Sequence, residues 1–164
     1  MTLLPATPAH FDDILALNAQ AVHFLSPLTR DKLEHLHDHA AWHTVVVDAD
    51  RVTAFLLAFA PCAPYDSVNY QWFDRRYADF LYIDRVVVAP EAQRRGLASR
   101  LYHALFETAR SHGIGRVVCE FDVEPPNPTS EAFHRQFGFA ELGRQRVAAG
   151  GKLVSLQGAE VPPP

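Results

Sequence analysis

The run Val86-Val87-Val88-Ala89-Pro90-Glu91-Ala92-Gln93-Arg94-Arg95-Gly96-Leu97-Ala98 constrains this chain more than any other stretch, because it leads a β-branched strand into a helix through a basic, glycine-containing turn. A helix start leaves backbone N–H groups without intrahelical acceptors, and the aligned peptide dipoles add partial positive charge, so such a turn attracts oxyanions. Gly96 has no side chain to hold a phosphate off the backbone. The turn lacks the Gly-Lys-Ser/Thr ending of a P-loop, and it lacks the G-x-G-x-x-G of a dinucleotide-binding turn.

The 164 residues suit one domain with a real core, expected over residues 1–158, with 159–164 as a flexible tail. A formal charge of −4 and no basic stripe argue against a nucleic-acid partner. Cys62 and Cys119 match no metal or redox spacing and read as free thiols in a reducing compartment. The first residues lack the pattern of a secretory leader, and no apolar run approaches the roughly 18 residues of a membrane span. The expectation is a soluble, cytoplasmic protein with no membrane partner.

Thr2 to Ala6 predicts a short strand, and Thr7-Pro8 predicts a helix start. Phe11, Ile14, Leu15, Leu17 and Val22 follow at helical spacing, with Asp12 and Asp13 in the first turn. Ser26-Pro27 ends that helix, and a second is expected over about Thr29 to Ala41. The pairs His35/His39 and His39/His43 have spacing compatible with a metal ion, but no third ligand falls in frame, so a solvated helix face is the simpler reading and no metal is expected. Thr44 to Val47 and Val52 to Ala60 read as a hairpin joined at Asp48-Ala49-Asp50-Arg51. Pro61 to Asp79 is long for a connection and rich in aromatic residues; it fits a functional loop, a short helix over Tyr70 to Tyr77, or both. Phe80 to Val88 predicts a central strand, in which Asp84 shares a side with Tyr82, Val86 and Val88. A helix from Leu97 should end near His112-Gly113, followed by a strand over Arg116 to Val123. Asn127 and Pro128 open a short helix, about Thr129 to Phe137, that ends at Gly138. Strands over about Leu142 to Ala148 and Lys152 to Gln157 flank a turn at Ala149-Gly150-Gly151, and Gly158 to Pro164 reads as frayed.

Gln93-x-x-Gly96-x-Ala98 after a strand resembles the coenzyme A signature of the GNAT-type N-acetyltransferase superfamily, Gln/Arg-x-x-Gly-x-Gly/Ala. Asn127-x-x-Ser130-x-x-Phe133-His134-x-x-x-Gly138-Phe139 is similar to a second motif of that superfamily. The similarity covers about Phe80 to Gly143, agrees in element order over the first 60 residues, and is strongest to bacterial single-domain members. It implies an α/β GNAT fold, a mixed and mostly antiparallel sheet of about seven strands with helices on both faces, assembled as a homodimer. Acetyl-CoA is the implied co-substrate, its pantetheine arm running along Val86, Val87 and Val88. Its pyrophosphate would rest on the turn of Gln93, Arg94, Arg95, Gly96, Leu97, Ala98 and Ser99, where Ala98 replaces the commoner glycine. Asn127, with Ser130 beside it, would hold either the pantetheine or the helix start.

The implied reaction is amine attack on a thioester, for which an ammonium with a pKa near about 10.4 must lose a proton. Asp84 is the first candidate for the base; the alternative is a structural carboxylate paired with Arg85 or Arg116, with Glu120 and Asp122 in reserve. His134 occupies the position where the family usually places a proton-donating tyrosine, and it would donate as imidazolium if the site raised its pKa, or else simply pack against pantetheine. The acceptor would meet Tyr65, Asn69, Trp72 and Tyr77, with Asp66 attracting a cation. The expected acceptor is the primary amine of a small molecule. A protein amino terminus or lysine suits the same chemistry, and a non-catalytic acyl-CoA-binding module is the contrasting class.

Overall fold

In a computed structural model, which describes residues 1–21, 25–148 and 151–164, seven strands form one sheet in the order β1-β2-β3-β4-β5-β7-β6. They are β1 (Thr2–Pro5), β2 (Trp42–Asp48), β3 (Arg51–Phe59), β4 (Leu81–Val88), β5 (Arg116–Glu124), β6 (Ala140–Arg146) and β7 (Leu153–Glu160). Five α-helices accompany them: α1 (Phe11–Gln20), α2 (Arg30–His39), α3 (Val68–Asp74), α4 (Leu97–Ser111) and α5 (Pro128–Gln136). The sheet is mixed: β1/β2, β2/β3, β5/β7 and β6/β7 are antiparallel, while β4 and β5 pair in parallel at Leu81↔Val117 and Tyr82↔Val118. The chain divides into two compact units, residues 1–59 with 83–107 and residues 60–82 with 108–164.

In the first unit, the β2/β3 hairpin is apolar at nearly every position because both of its faces are covered, with Val45, Val46 and Ala54 through Phe59 all buried. Ala49 and Asp50 close it with φ of 48° and 62°, the two left-handed residues that a tight hairpin of native twist requires. Phe11, Ile14 and Leu17 recur at helical spacing and form the buried face of α1, which packs on β3. Asp13 fastens that packing, its Oδ2 accepting the Val52 N–H at 2.9 Å. Thr29 caps α2 as its position before the helix predicts, accepting the Lys32 N–H at 3.2 Å. The expected extension of α1 to Val22 lies outside the described residues.

The second unit is organised around Tyr70, Phe73, Phe80 and Tyr82, whose rings meet at 5.5–6.4 Å. Tyr70 satisfies its buried hydroxyl by donating to Ala60 O at 2.6 Å and accepting the Ala63 N–H at 2.9 Å. The helix in this segment starts at Val68, two residues earlier than expected, because Ser67 caps it by accepting the Tyr70 N–H. Leu156 and Gln157 do not end the last strand: Gly158 and Ala159 continue the ladder opposite Val118 and Val117, and the Val161 N–H bonds Gly115 O at 3.0 Å. Residues expected to fray therefore pair as far as Val161, because Ala159 and Val161 keep their places in the core. Ala149 and Gly150 of the expected turn lie outside the described residues; beside them, Val147 N–H bonds Lys152 O at 2.8 Å.

The histidines of α2 do not assemble a metal site, and among the described residues no group of three or more His, Cys, Asp or Glu is placed to hold an ion. His39 instead donates from Nδ1 to His35 O at 2.9 Å, and His37 meets His43 of β2, Nδ1 to Nδ1 at 2.9 Å. Burial first, then the nearby His37 and His10, lower the His43 pKa from 6.5 to about 3. Unfolded, His43 takes a proton near pH 6.5; folded, it stays neutral until about pH 3, so stability is lost as pH falls through that window. Between pH 7 and 4.5 this amounts to about 2 to 3 kcal/mol. His43→Gln is expected to reduce the acid-induced drop in urea-unfolding free energy by that much, and an unchanged drop would show that His43 is already charged in the fold.

Candidate functional site

In the first unit, β4 gives way to a single 3-10 turn, Pro90–Ala92, and then to an exposed loop before α4. Arg94 is left-handed there at φ 63° and Gly96 at φ 74°. A non-glycine residue in that region costs about 1 kcal/mol, a strain that turns backbone N–H groups out of their usual alternation and toward one side. α4 follows with 15 residues, no acidic side chain in its first turn and the N–H groups of Leu97, Ala98 and Ser99 at its positive end. A Cβ built on Gly96 meets nothing within 4 Å, so the surface above the turn is open. Arg95 lies 3.7 Å from Asp48, and the Arg94 side chain is exposed. This geometry binds an oxyanion as the sequence led one to expect.

Asp84 is placed differently from a base. Its Oδ2 accepts from Arg85 Nε at 2.6 Å, and the two side chains are only 5% and 3% exposed. Arg85 also donates to Asn18 Oδ1 on α1 at 3.0 Å and to Ser26 O and Oγ at 3.5 and 3.4 Å. Of the two readings open for Asp84, the structure displays the ion pair with Arg85, because a buried guanidinium needs a counter-charge and the adjacent carboxylate supplies it. Val86 and Val88 are half-buried on the side of Asp84, and Val87 points into the core.

In the second unit the register sorts the candidates onto two faces, since residues opposite one another share a side. Glu120 stands opposite Leu156, and Leu156 opposite Gly143, whose Cβ would lie 2.6 Å from the Trp72 ring; α3 therefore covers the face of Glu120. Glu120 Oε1 accepts from Tyr82 OH at 3.0 Å and from Asn69 Nδ2 at 3.2 Å. Gln145 of β6 donates to Asn69 Oδ1 at 2.8 Å. Asp122, two residues on, is paired with Lys152 at 3.1 Å.

The other expected acceptor residues diverge. Trp72 is stacked by Arg76 at 4.0 Å, Tyr77 by Arg116 at 4.2 Å, and Tyr65 leans on Tyr70 at 5.6 Å, so of the four only Asn69 is bonded to a candidate base. Asp66 is exposed.

α5 covers the opposite face, where His134 packs against Phe121, Phe133 and Phe139 with centroids 5.1–5.6 Å away. Its Nδ1–H donates to Ser130 O at 2.7 Å, which fixes the hydrogen on that nitrogen. Burial lowers its pKa from 6.5, against a smaller opposing effect of the Ser130 bond. The expected imidazolium donor is thus corrected: His134 is neutral at neutral pH, and its observed contacts are those of packing. Asn127 caps α5, its Oδ1 accepting the Ser130 N–H at 3.2 Å, which is the helix-start role of the two left open.

A model of the acetyltransferase (GNAT) family matches residues 11–139. The chain belongs to that family. It is 29% identical over 118 residues to the phosphinothricin N-acetyltransferase of Streptomyces viridochromogenes, a match covering 72% of this chain and 57% of that protein. Over 61 residues it is 36% identical to the phosphinothricin N-acetyltransferase of Streptomyces coelicolor, covering 37% of this chain and 34% of that one. The chain thus spans less than two thirds of the length of these relatives. Its fold is that of an acetyltransferase of the GNAT family from Streptococcus pneumoniae, with a TM-score of 0.74 at 18% identity over 98% of this chain and 99% of the other.

Asp84→Asn leaves a buried guanidinium without its counter-charge, and it is expected to lower the unfolding free energy by about 3–5 kcal/mol in urea melts. Loss of turnover with unchanged stability would instead return Asp84 to the role of base.

Proposed function

We propose that this GNAT-family chain transfers an acetyl group from acetyl-CoA to the primary amine of a small molecule. The observation that carries the reading is the open turn at Arg94 to Ser99, an anion cradle at a helix start within the family's matched region. Resemblance to proteins named as phosphinothricin N-acetyltransferases supports a small acceptor.

The pyrophosphate of the co-substrate meets the N–H groups of that turn, with the Arg94 and Arg95 side chains adding charge-assisted contacts. Glu120 is the base. Its Oε1 is held by two neutral donors, Tyr82 OH and Asn69 Nδ2, whereas Asp84 is held by a cation. A carboxylate removes a proton from the acceptor's ammonium, the freed lone pair adds to the thioester carbonyl, and the C–S bond breaks to release coenzyme A.

Purified protein supplied with acetyl-CoA and a panel of primary amines is expected to release thiol with small amines. Release with peptides alone would make it a protein acetyltransferase, and cofactor binding without turnover a binding module. Gly96→Glu places bulk and negative charge in the open space above the turn and is expected to abolish coenzyme A binding in a folded protein. Glu120→Gln is expected to lower turnover about 10²-fold or more with coenzyme A affinity unchanged.

A further inference from the structure

Gln145 lies on β6 and was singled out by no motif, yet it reaches α3 and binds it twice. Its Nε2 donates to Asn69 Oδ1 at 2.8 Å and to Val68 O at 3.2 Å. An asparagine amide has one accepting end and one donating end. With Oδ1 taken by Gln145, the Nδ2 end is turned to Glu120 Oε1, 3.2 Å away. Rotating the amide by half a turn would set Oδ1 against the carboxylate and Nδ2 against the Gln145 NH₂, oxygen facing oxygen and donor facing donor. The Gln145 contact to Val68 O fixes its own orientation in the same way, since a backbone carbonyl only accepts.

We propose that Gln145 is a positioning residue for the acceptor-side carboxylate: through Asn69 it keeps an N–H directed at Glu120 and so holds that carboxylate in its charged form. The proposal rests on the reading of Glu120 as the base. The titratable and charged groups around Glu120 come from each packed element. On β5 they are Asp122, paired with Lys152 of the β7 side, and the buried thiol of Cys119, which shares an electrostatic interaction with Glu120. On β4 there is the Tyr82 hydroxyl, and α3 contributes the Tyr70 hydroxyl, which is turned away to Ala60 O. None of them forms part of the Gln145–Asn69–Glu120 chain, so each stays in place when Gln145 is changed.

The test follows the carboxyl ¹³C signal of Glu120 against pH in glutamate-labelled protein, alongside the pH profile of turnover. Asn69→Ala removes a hydrogen bond to the charged form and is expected to raise the Glu120 midpoint by about one pH unit. Gln145→Met, which keeps the length of a side chain on an edge strand, is expected to raise it in the same direction by a smaller amount, with the acidic limb of the turnover profile following. Because Gln145 acts through Asn69, the double variant should match Asn69→Ala alone. An unmoved midpoint in Gln145→Met, or shifts that add in the double variant, would overturn the proposal. Should Gln145→Met fail to fold, Gln145→Glu in the wild-type and Asn69→Ala backgrounds decides instead: a larger midpoint shift with Asn69 present supports relay through the amide, and equal shifts overturn it. The titration does not need activity, so a protein that shows these shifts but no acetyl transfer refutes the acetyltransferase reading and leaves the relay standing.

Discussion

A guanidinium taken out of water must find a counter-charge and partners for its N–H groups, and in the first unit Arg85 meets that demand with Asp84, Asn18 and Ser26. Three pieces of chain are fixed by the one side chain: the strand it stands on, the last turns of α1 and the segment leading to α2. The arrangement has a chemical consequence as well as a structural one. A carboxylate committed to a neighbouring cation is a poor proton acceptor for a substrate, so the acid–base role passes to a carboxylate held by neutral groups. Glu120, with a phenol and a carboxamide on one oxygen, has that environment.

Local rules accounted for much of the architecture. Thr29, Ser67 and Asn127 each cap the helix that their position before a helical run foretells, and Ala49-Asp50 closes a hairpin between two apolar runs. The turn at Gly96 was legible for the same reason, since strand, glycine and helix are contiguous in the chain. The errors fall where the deciding contacts are distant in sequence. Nothing local says that Gly158 and Ala159 pair with Val118 and Val117, more than 40 residues away, so the last strand looked shorter than it is.

The site residues divide along the same line. Asp84 and Arg85 are neighbours, and their pairing was open from the start; that it prevails depends on Asn18 and Ser26 arriving to bury the cation. His134 was placed at the right turn of its helix, but its neutrality comes from Phe121 on another strand and Phe139 beyond the helix, contacts that only folding creates. Gln145 carried no signal at all, because its meaning lies in a register that brings β6 beside β7 and beneath α3.

The open space above Gly96 separates two properties that most binding sites entangle. A side chain added there meets no protein atom, and its penalty is confined to a left-handed backbone angle, about 1–2 kcal/mol. The cradle is therefore a dial that can be turned without disturbing the scaffold: graded substitutions at one position yield a series of intact proteins differing in their hold on the cofactor. Placed in a living cell, such a series distinguishes what the chain does as a catalyst from what it does merely by being present.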